Sequence, residues 1–279
     1  MSKKQKIRSF IIFAVVLIIL GVLIGIIKRI NAGHESIQVV MKDAVLHEVN
    51  KISFLGMEVN PGLISAFVVT GIFLVFGLAV RFIAVPRFKN VPGKFQIFLE
   101  TVVGLFDNMA KSNSPHMNKF LGAYIFTAGA YIFVGTTFEL IGIQAVNTEG
   151  LPVSLPAPLS DINGAVMMGC LSYLMIMTGG LIANGLKGVA KTLKDFSLPI
   201  SMSFRLFGAL LSGALVTELV YFYPLTKYGL PIIVGVLFTL LHALIQAYVL
   251  TTLTSVFYGE VTEKVPKKKK LPKAEKASA

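Results

Sequence analysis

Long apolar runs separated by short polar segments dominate the chain, at about residues 10 to 27, 62 to 85, 120 to 143, 162 to 185, 199 to 223 and 231 to 258. Each approaches the roughly 20 residues that a helix needs to cross about 30 Å of hydrocarbon. None alternates with a period of two, so they predict helices rather than barrel strands, the two structures that satisfy the backbone in lipid. The expected fold class is all-α: a polytopic membrane protein with about six transmembrane helices. The last run would extend roughly 42 Å at about 1.5 Å per residue, which predicts a tilted helix, and the two C-terminal helices are expected to be long and tilted.

Between the second and third runs, Phe95, Phe98, Leu99, Val102, Leu105, Phe106 and Met109 recur at helical spacing, interrupted by Lys94, Gln96, Glu100 and Asp107. That pattern predicts an amphipathic helix on the inner membrane face rather than another span. The segment Gln144 to Ser160 holds Pro152, Pro156 and Pro158 without lysine or arginine, and predicts an outer loop. Three regions follow: 1–61, an N-terminal anchor helix and outer segment; 62–260, the membrane domain; and 261–279, a basic cytoplasmic tail. The first run is followed by Asn31-Ala32-Gly33, so a cleaved secretory signal stands as an alternative to the anchor.

The 54% hydrophobic and 14% charged content excludes a soluble domain of 279 residues. A net charge of +12 suggests nucleic acid at first sight, but the basic residues sit at the ends of apolar runs and in Lys267–Lys270. No nucleic-acid partner is expected; the partner of this charge is the lipid bilayer. With a cytoplasmic N-terminus, nineteen basic residues fall in inner segments against five in outer ones, which places both termini in the cytoplasm. The single cysteine, Cys170, lies in an apolar run and offers packing, not a disulfide or metal site. No phosphate-binding Gly-x-x-x-x-Gly-Lys-Ser/Thr loop and no His/Glu pair at metal-ligand spacing occur, so neither a cofactor nor a metal is expected, and bond-making chemistry is left to partners.

Arg205 stands inside the fifth run, six residues past Pro199. Insertion of an arginine at a span centre costs about 2.5–3.5 kcal/mol, and the guanidinium cannot escape by losing its proton. An anionic partner or a hydrated cavity is implied, unless the side chain pairs within the chain or reaches headgroups. Gly208, Ala209, Ser212, Gly213 and Ala214 follow on the same helix, and such small residues let another helix approach, internal or external. On the last run Thr239, His242 and Gln246 form one narrow polar stripe that should face protein or water. Arg81, near the inner end of its run, can snorkel to the interface.

Four motifs occur in order: Pro92-Gly93-Lys94-Phe95-Gln96, Pro158-Leu159-Ser160-Asp161-Ile162-Asn163, Arg205-Leu206-Phe207-Gly208 after Ser197-Leu198-Pro199-Ile200-Ser201, and Gln246-Ala247-Tyr248. Over roughly residues 60 to 260 the chain thereby resembles the a subunit of bacterial rotary F-type ATP synthases. The resemblance implies a stator subunit in the bacterial inner membrane, whose two offset half-channels let ion flow drive a ring of c subunits and so ATP synthesis. It implies that Arg205 faces the ring carboxylates, that Gln246 orients the arginine, and that Gly208, Ala209, Ser212 and Gly213 contact the ring. Its partners would be the c-subunit ring, b-type peripheral stalk subunits and, indirectly, the soluble catalytic head.

The chain departs from the family pattern at Ala209, where relatives commonly have Asn, at Ala214, where Glu is usual, at Thr239, where His or Glu is common, and at Lys191, a commonly acidic position. Glu218 and His242 are candidates to replace them, with Glu139, Asp161, Asn163 and Thr239 as further candidates for an ion path. Each of the ionisable ones could equally be a satisfied polar group at a helix end. The helices run antiparallel, so Glu218 is expected outward of His242 and apart from it. The coupling ion is read as H⁺ with Na⁺ open, and a self-contained ion-coupled secondary transporter is the alternative function.

Overall fold

The computed structural model describes residues 51–54, 56–148, 150–222 and 229–263, with isolated positions 15, 38 and 42. The expected first span and the basic tail beyond residue 263 lie outside the described residues. Among those described, long helices dominate, and five of them are long and apolar enough to cross a membrane, at Pro61–Arg87, Asn118–Ile141, Ile162–Asn184, Ser197–Phe222 and Leu230–Thr262. The protein is an all-α, multi-pass membrane protein.

Two short antiparallel strands, β1 (Ile52–Phe54) and β2 (Met57–Val59), precede helix α1 (Pro61–Ala79). Asn60 starts α1 by accepting a hydrogen bond from the Gly62 N–H at 2.9 Å, and Pro61 occupies the first turn, where a missing N–H costs nothing. The span then widens into a π turn at Val80–Ala84 and tightens into a 3-10 turn at Val85–Arg87. Pro86 explains the change, because its ring and absent N–H break the regular hydrogen-bond ladder.

Helix α2 (Lys94–Asn113) is the expected amphipathic helix, tied to the preceding loop by reciprocal bonds between Gln96 and the Lys89 backbone, both 3.1 Å. Helix α3 (Asn118–Phe138) crosses next and ends through a 3-10 turn at Glu139–Ile141, where Gly142 takes the left-handed φ of 67° that closes the helix. The expected outer loop is more ordered than its prolines suggested. It contains a hairpin of β3 (Gln144–Val146) and β4 (Pro152–Ser154), then a 3-10 turn at Pro158–Ser160. Thr148 N–H joins this hairpin to the Lys51 carbonyl at 3.1 Å.

Asp161 caps helix α4 (Ile162–Asn184). A short helix, α5 (Leu186–Lys194), follows where the sequence suggested only an inner connection, and leads to α6 (Ser197–Phe222). The last helix, α7 (Leu230–Thr262), has 33 residues and so about 50 Å of length, more than hydrocarbon alone requires.

α7 packs against α3, α4 and α6, and its inner end also touches α2 and α5. The core between them holds Leu121, Ile125, Ile132, Ile176, Leu206 and Tyr258, all essentially inaccessible. Glycine permits the closest crossings: a side chain at Gly179 would run into the Tyr258 ring, and one at Gly169 would meet Ser203 and the Pro199 carbonyl on α6. The end carrying the basic segments, the inner end, is tied together by side-chain contacts. There Asn184 donates to the Val261 and Glu263 carbonyls at 2.8 and 2.9 Å, Ser114 bonds Thr262 at 3.1 Å, and Lys191 bonds the Glu260 carbonyl at 2.7 Å. The Asn184 and Lys191 bonds satisfy carbonyls that a helix end leaves without internal partners.

Candidate functional site

Helix α6 has two unlike faces. Pro199, Met202, Ser203, Leu206 and Leu210 are buried, mostly against α4, while Ser201, Phe204, Arg205, Gly208 and Ser212 are exposed. Helical spacing fixes this division, since residues three, four and seven apart share a face. Arg205 therefore points away from its own bundle. Its guanidinium has no hydrogen bond or ion pair among the described residues. The surface beside it is smooth. Nothing lies within 4 Å of the space a side chain would occupy at Gly208, and the Ser212 hydroxyl is turned back onto the Ala209 carbonyl at 2.8 Å.

Of the four small residues expected to share this surface, the structure turns one elsewhere. Gly213 lies about 80° around α6 from Arg205, and the space over it is filled by His242 of α7, whose Nδ1 would stand 3.2 Å from a Cβ there. Its smallness serves the α6–α7 contact. Ala209 is half-buried between the two faces.

The Gly213–His242 contact fixes the level of α7 against α6. Counting back along one antiparallel helix and forward along the other puts Gln246 near the level of Ala209, about 6 Å along the axis from Arg205, and Thr239 near Val216. Thr239 and His242 are half-buried and Gln246 is 6% exposed, so the polar stripe of α7 faces protein. Phe238 flanks His242, with ring centroids 5.8 Å apart.

Glu218 is about 20 Å outward of Arg205 along α6 and turned roughly 140° from it. Glu139, from the end of α3, lies near enough for the two like charges to repel. The Ala157 backbone, just before the Pro158–Ser160 turn, also lies close to the Glu139 carboxylate. The sequence names both carboxylates but gives no sign that they meet, because they lie on separate helices. Asp161 and Asn163 form a local unit instead: the Asp161 carboxylate accepts from the Asn163 backbone and side-chain amides at 3.1 and 3.3 Å, capping α4. Lys191, at a position often acidic in the family it resembles, pairs with Glu260 at 3.4 Å and joins α5 to α7.

Comparison with known proteins places the chain in a family. The chain is 24% identical over 214 residues to "ATP synthase subunit a 2" of Vibrio campbellii, covering 68% of this chain and 84% of that relative. It is 26% identical over 200 residues to "ATP synthase subunit a" of Actinobacillus pleuropneumoniae serotype 3, covering 61% and 76% respectively. A third relative, "ATP synthase subunit a 2" of Photobacterium profundum, is 24% identical with 68% and 84% coverage. Residues 63–259, which hold every one of the candidate site residues, match the family described as "ATP synthase A chain", and the chain belongs to that family.

Proposed function

We propose that this chain is the ion-translocating stator subunit of a rotary ATP synthase, that its ion is the proton, and that Arg205 is the fixed charge past which the carboxylates of a c-subunit ring move. The observation that carries this reading is Arg205 itself: an ionised side chain on an exposed, smooth helix face, without an anion among the described residues. A charge left so in hydrocarbon needs a counter-charge from outside. A passing carboxylate that meets it is held ionised and must release its proton, and the same positive charge blocks direct leakage between entry and exit paths.

The outer path runs from the Glu139–Glu218 pair to the α7 stripe of Thr239, His242 and Gln246, whose levels fall between Glu218 and Arg205. Successive levels differ by about 3–6 Å, short enough for intervening water to relay a proton. Carboxyl and imidazole groups exchange protons, which favours H⁺ over Na⁺ on this route. Gln246 orients the guanidinium without neutralising it, since an amide donates and accepts but carries no charge. Gly208, Ala209 and Ser212 form the ring contact. Asp161 and Asn163 shape the outer rim, b-type stalk helices hold the subunit still, and the catalytic head is reached only through the other subunits.

The test is ATP synthesis by the reconstituted complex under a proton gradient or a sodium gradient, each imposed alone. Synthesis under the proton gradient supports the reading; synthesis that requires the sodium gradient overturns the choice of ion. Ion-coupled solute uptake by the isolated chain in liposomes would favour a self-contained transporter and overturn the stator assignment.

A further inference from the structure

Helix α1 joins the bundle only through its outer half. Val69 lies over Gly135 of α3, and Phe73 meets Tyr131 with ring centroids 6.2 Å apart. Further inward, the span parts from its neighbours where it becomes a π turn, and α1 has at most marginal contact with α2. The result is a cleft of about 1100 Å³ between the inner half of α1, the amphipathic helix α2 and the start of α3. Phe76, Val80, Leu99, Val103 and Phe126 give it apolar walls, and Gly77 and Gly104 leave open space where side chains would otherwise project.

A void of that size is not left empty beside liquid hydrocarbon, since its lining would forfeit dispersion contacts. Its charged residues choose the occupant. Arg81, Lys119, Glu100 and Asp107 all line the cleft. Asp107 is already paired with Lys111. Arg81 and Lys119 have no ion pair among the described residues, and Glu100 accepts from the Gln96 amide at 2.8 Å, leaving further acceptor capacity on its carboxylate. A purely anionic headgroup would answer the two cations and repel Glu100. A headgroup with a phosphate and a primary ammonium answers both signs, and its N–H donors suit a carboxylate, which a quaternary amine cannot offer.

We infer that this cleft binds one two-chain phospholipid of the ethanolamine type from the inner leaflet, its phosphate held by Arg81 and Lys119 and its ammonium by Glu100. The acyl chains fill the space between α1 and α3, so the lipid serves as packing that the described residues lack there. A transmembrane helix of another subunit is the competing occupant. It would find apolar walls but would bring no phosphate to the two cations and no ammonium to Glu100.

The full chain is reconstituted in bilayers of equal phosphatidylethanolamine and phosphatidylglycerol, extracted in mild detergent, and its retained lipids are counted by native mass spectrometry. One retained phosphatidylethanolamine, preferred by about threefold or more, is expected, as a partly exposed ion pair provides. Glu100→Gln should bring the preference near parity while lipid is still retained. Gly77→Leu with Gly104→Leu, at positions with open space around them, should expel the lipid and leave the fold intact. Equal retention of phosphatidylglycerol by the unaltered chain, or lipid retained by the double leucine variant, would overturn the inference. So would a disulfide, formed with an added oxidant in a Cys170→Ser background, between Gly104→Cys and a cysteine introduced into a transmembrane helix of another subunit of the assembled complex.

Discussion

Arg205→Ala distinguishes a charge kept for function from one kept for structure, because the two readings predict stability changes of opposite sign. Arginine at a span centre costs about 2.5–3.5 kcal/mol on insertion scales, and its removal returns that amount if nothing in the chain depends on it. Had the guanidinium neutralised a carboxylate within the bundle, the substitution would orphan a buried anion and cost about 3–5 kcal/mol. No such carboxylate meets Arg205 among the described residues: Glu139 and Glu218 stand near each other as like charges, and Glu260 pairs with Lys191. The alanine variant of the isolated chain is therefore expected to be as stable as the parent or more so, by up to about 3 kcal/mol. Denaturant unfolding in detergent measures this. In the assembled complex the same variant should abolish ATP-driven ion pumping in vesicles while the subunits still co-purify. A destabilisation near 3 kcal/mol, or pumping that survives, would refute the assignment of Arg205 as an outward-facing functional charge.

Three other perturbations probe the surroundings. Glu218→Gln and Glu139→Gln should each slow pumping by roughly tenfold or more, and the double variant by little beyond either single one, because groups on one path are not additive; multiplicative losses in pumping rate would place them on separate routes. Gly169→Val should destabilise the chain by about 1–3 kcal/mol in the same unfolding assay and impair pumping, since its side chain would meet Ser203 and the Pro199 carbonyl, the latter 2.9 Å from a Cβ, directly behind Arg205; an unchanged stability would contradict that crossing. Asn184→Ala removes both donors to the last carbonyls of α7 and should cost about 1–3 kcal/mol. Lys191→Met loses a partly exposed ion pair and should cost under about 1 kcal/mol.

The hydrophobic pattern by itself determined where α1, α3, α4, α6 and α7 run, to within a few residues, and that α2 lies apart from them as an amphipathic helix. Lipid makes this possible, since a span must be long, apolar and internally hydrogen-bonded, and all three requirements are local. The anomaly of Arg205 was legible for the same reason. Short elements were not. Nine residues of α5 are too few for a helical period to stand out beside its three lysines, and the β3–β4 hairpin hides in a proline-rich loop. Only the tertiary structure decided which side chains meet across helices. The Gly169 and Gly179 crossings and the outer turn at Ala157 set the rotation and level of each helix, and these long-range contacts turn Gly213 to His242, Glu139 to Glu218 and Arg205 outward. A sequence fixes the face on which a residue lies; what stands opposite that face depends on how the neighbouring helix is packed.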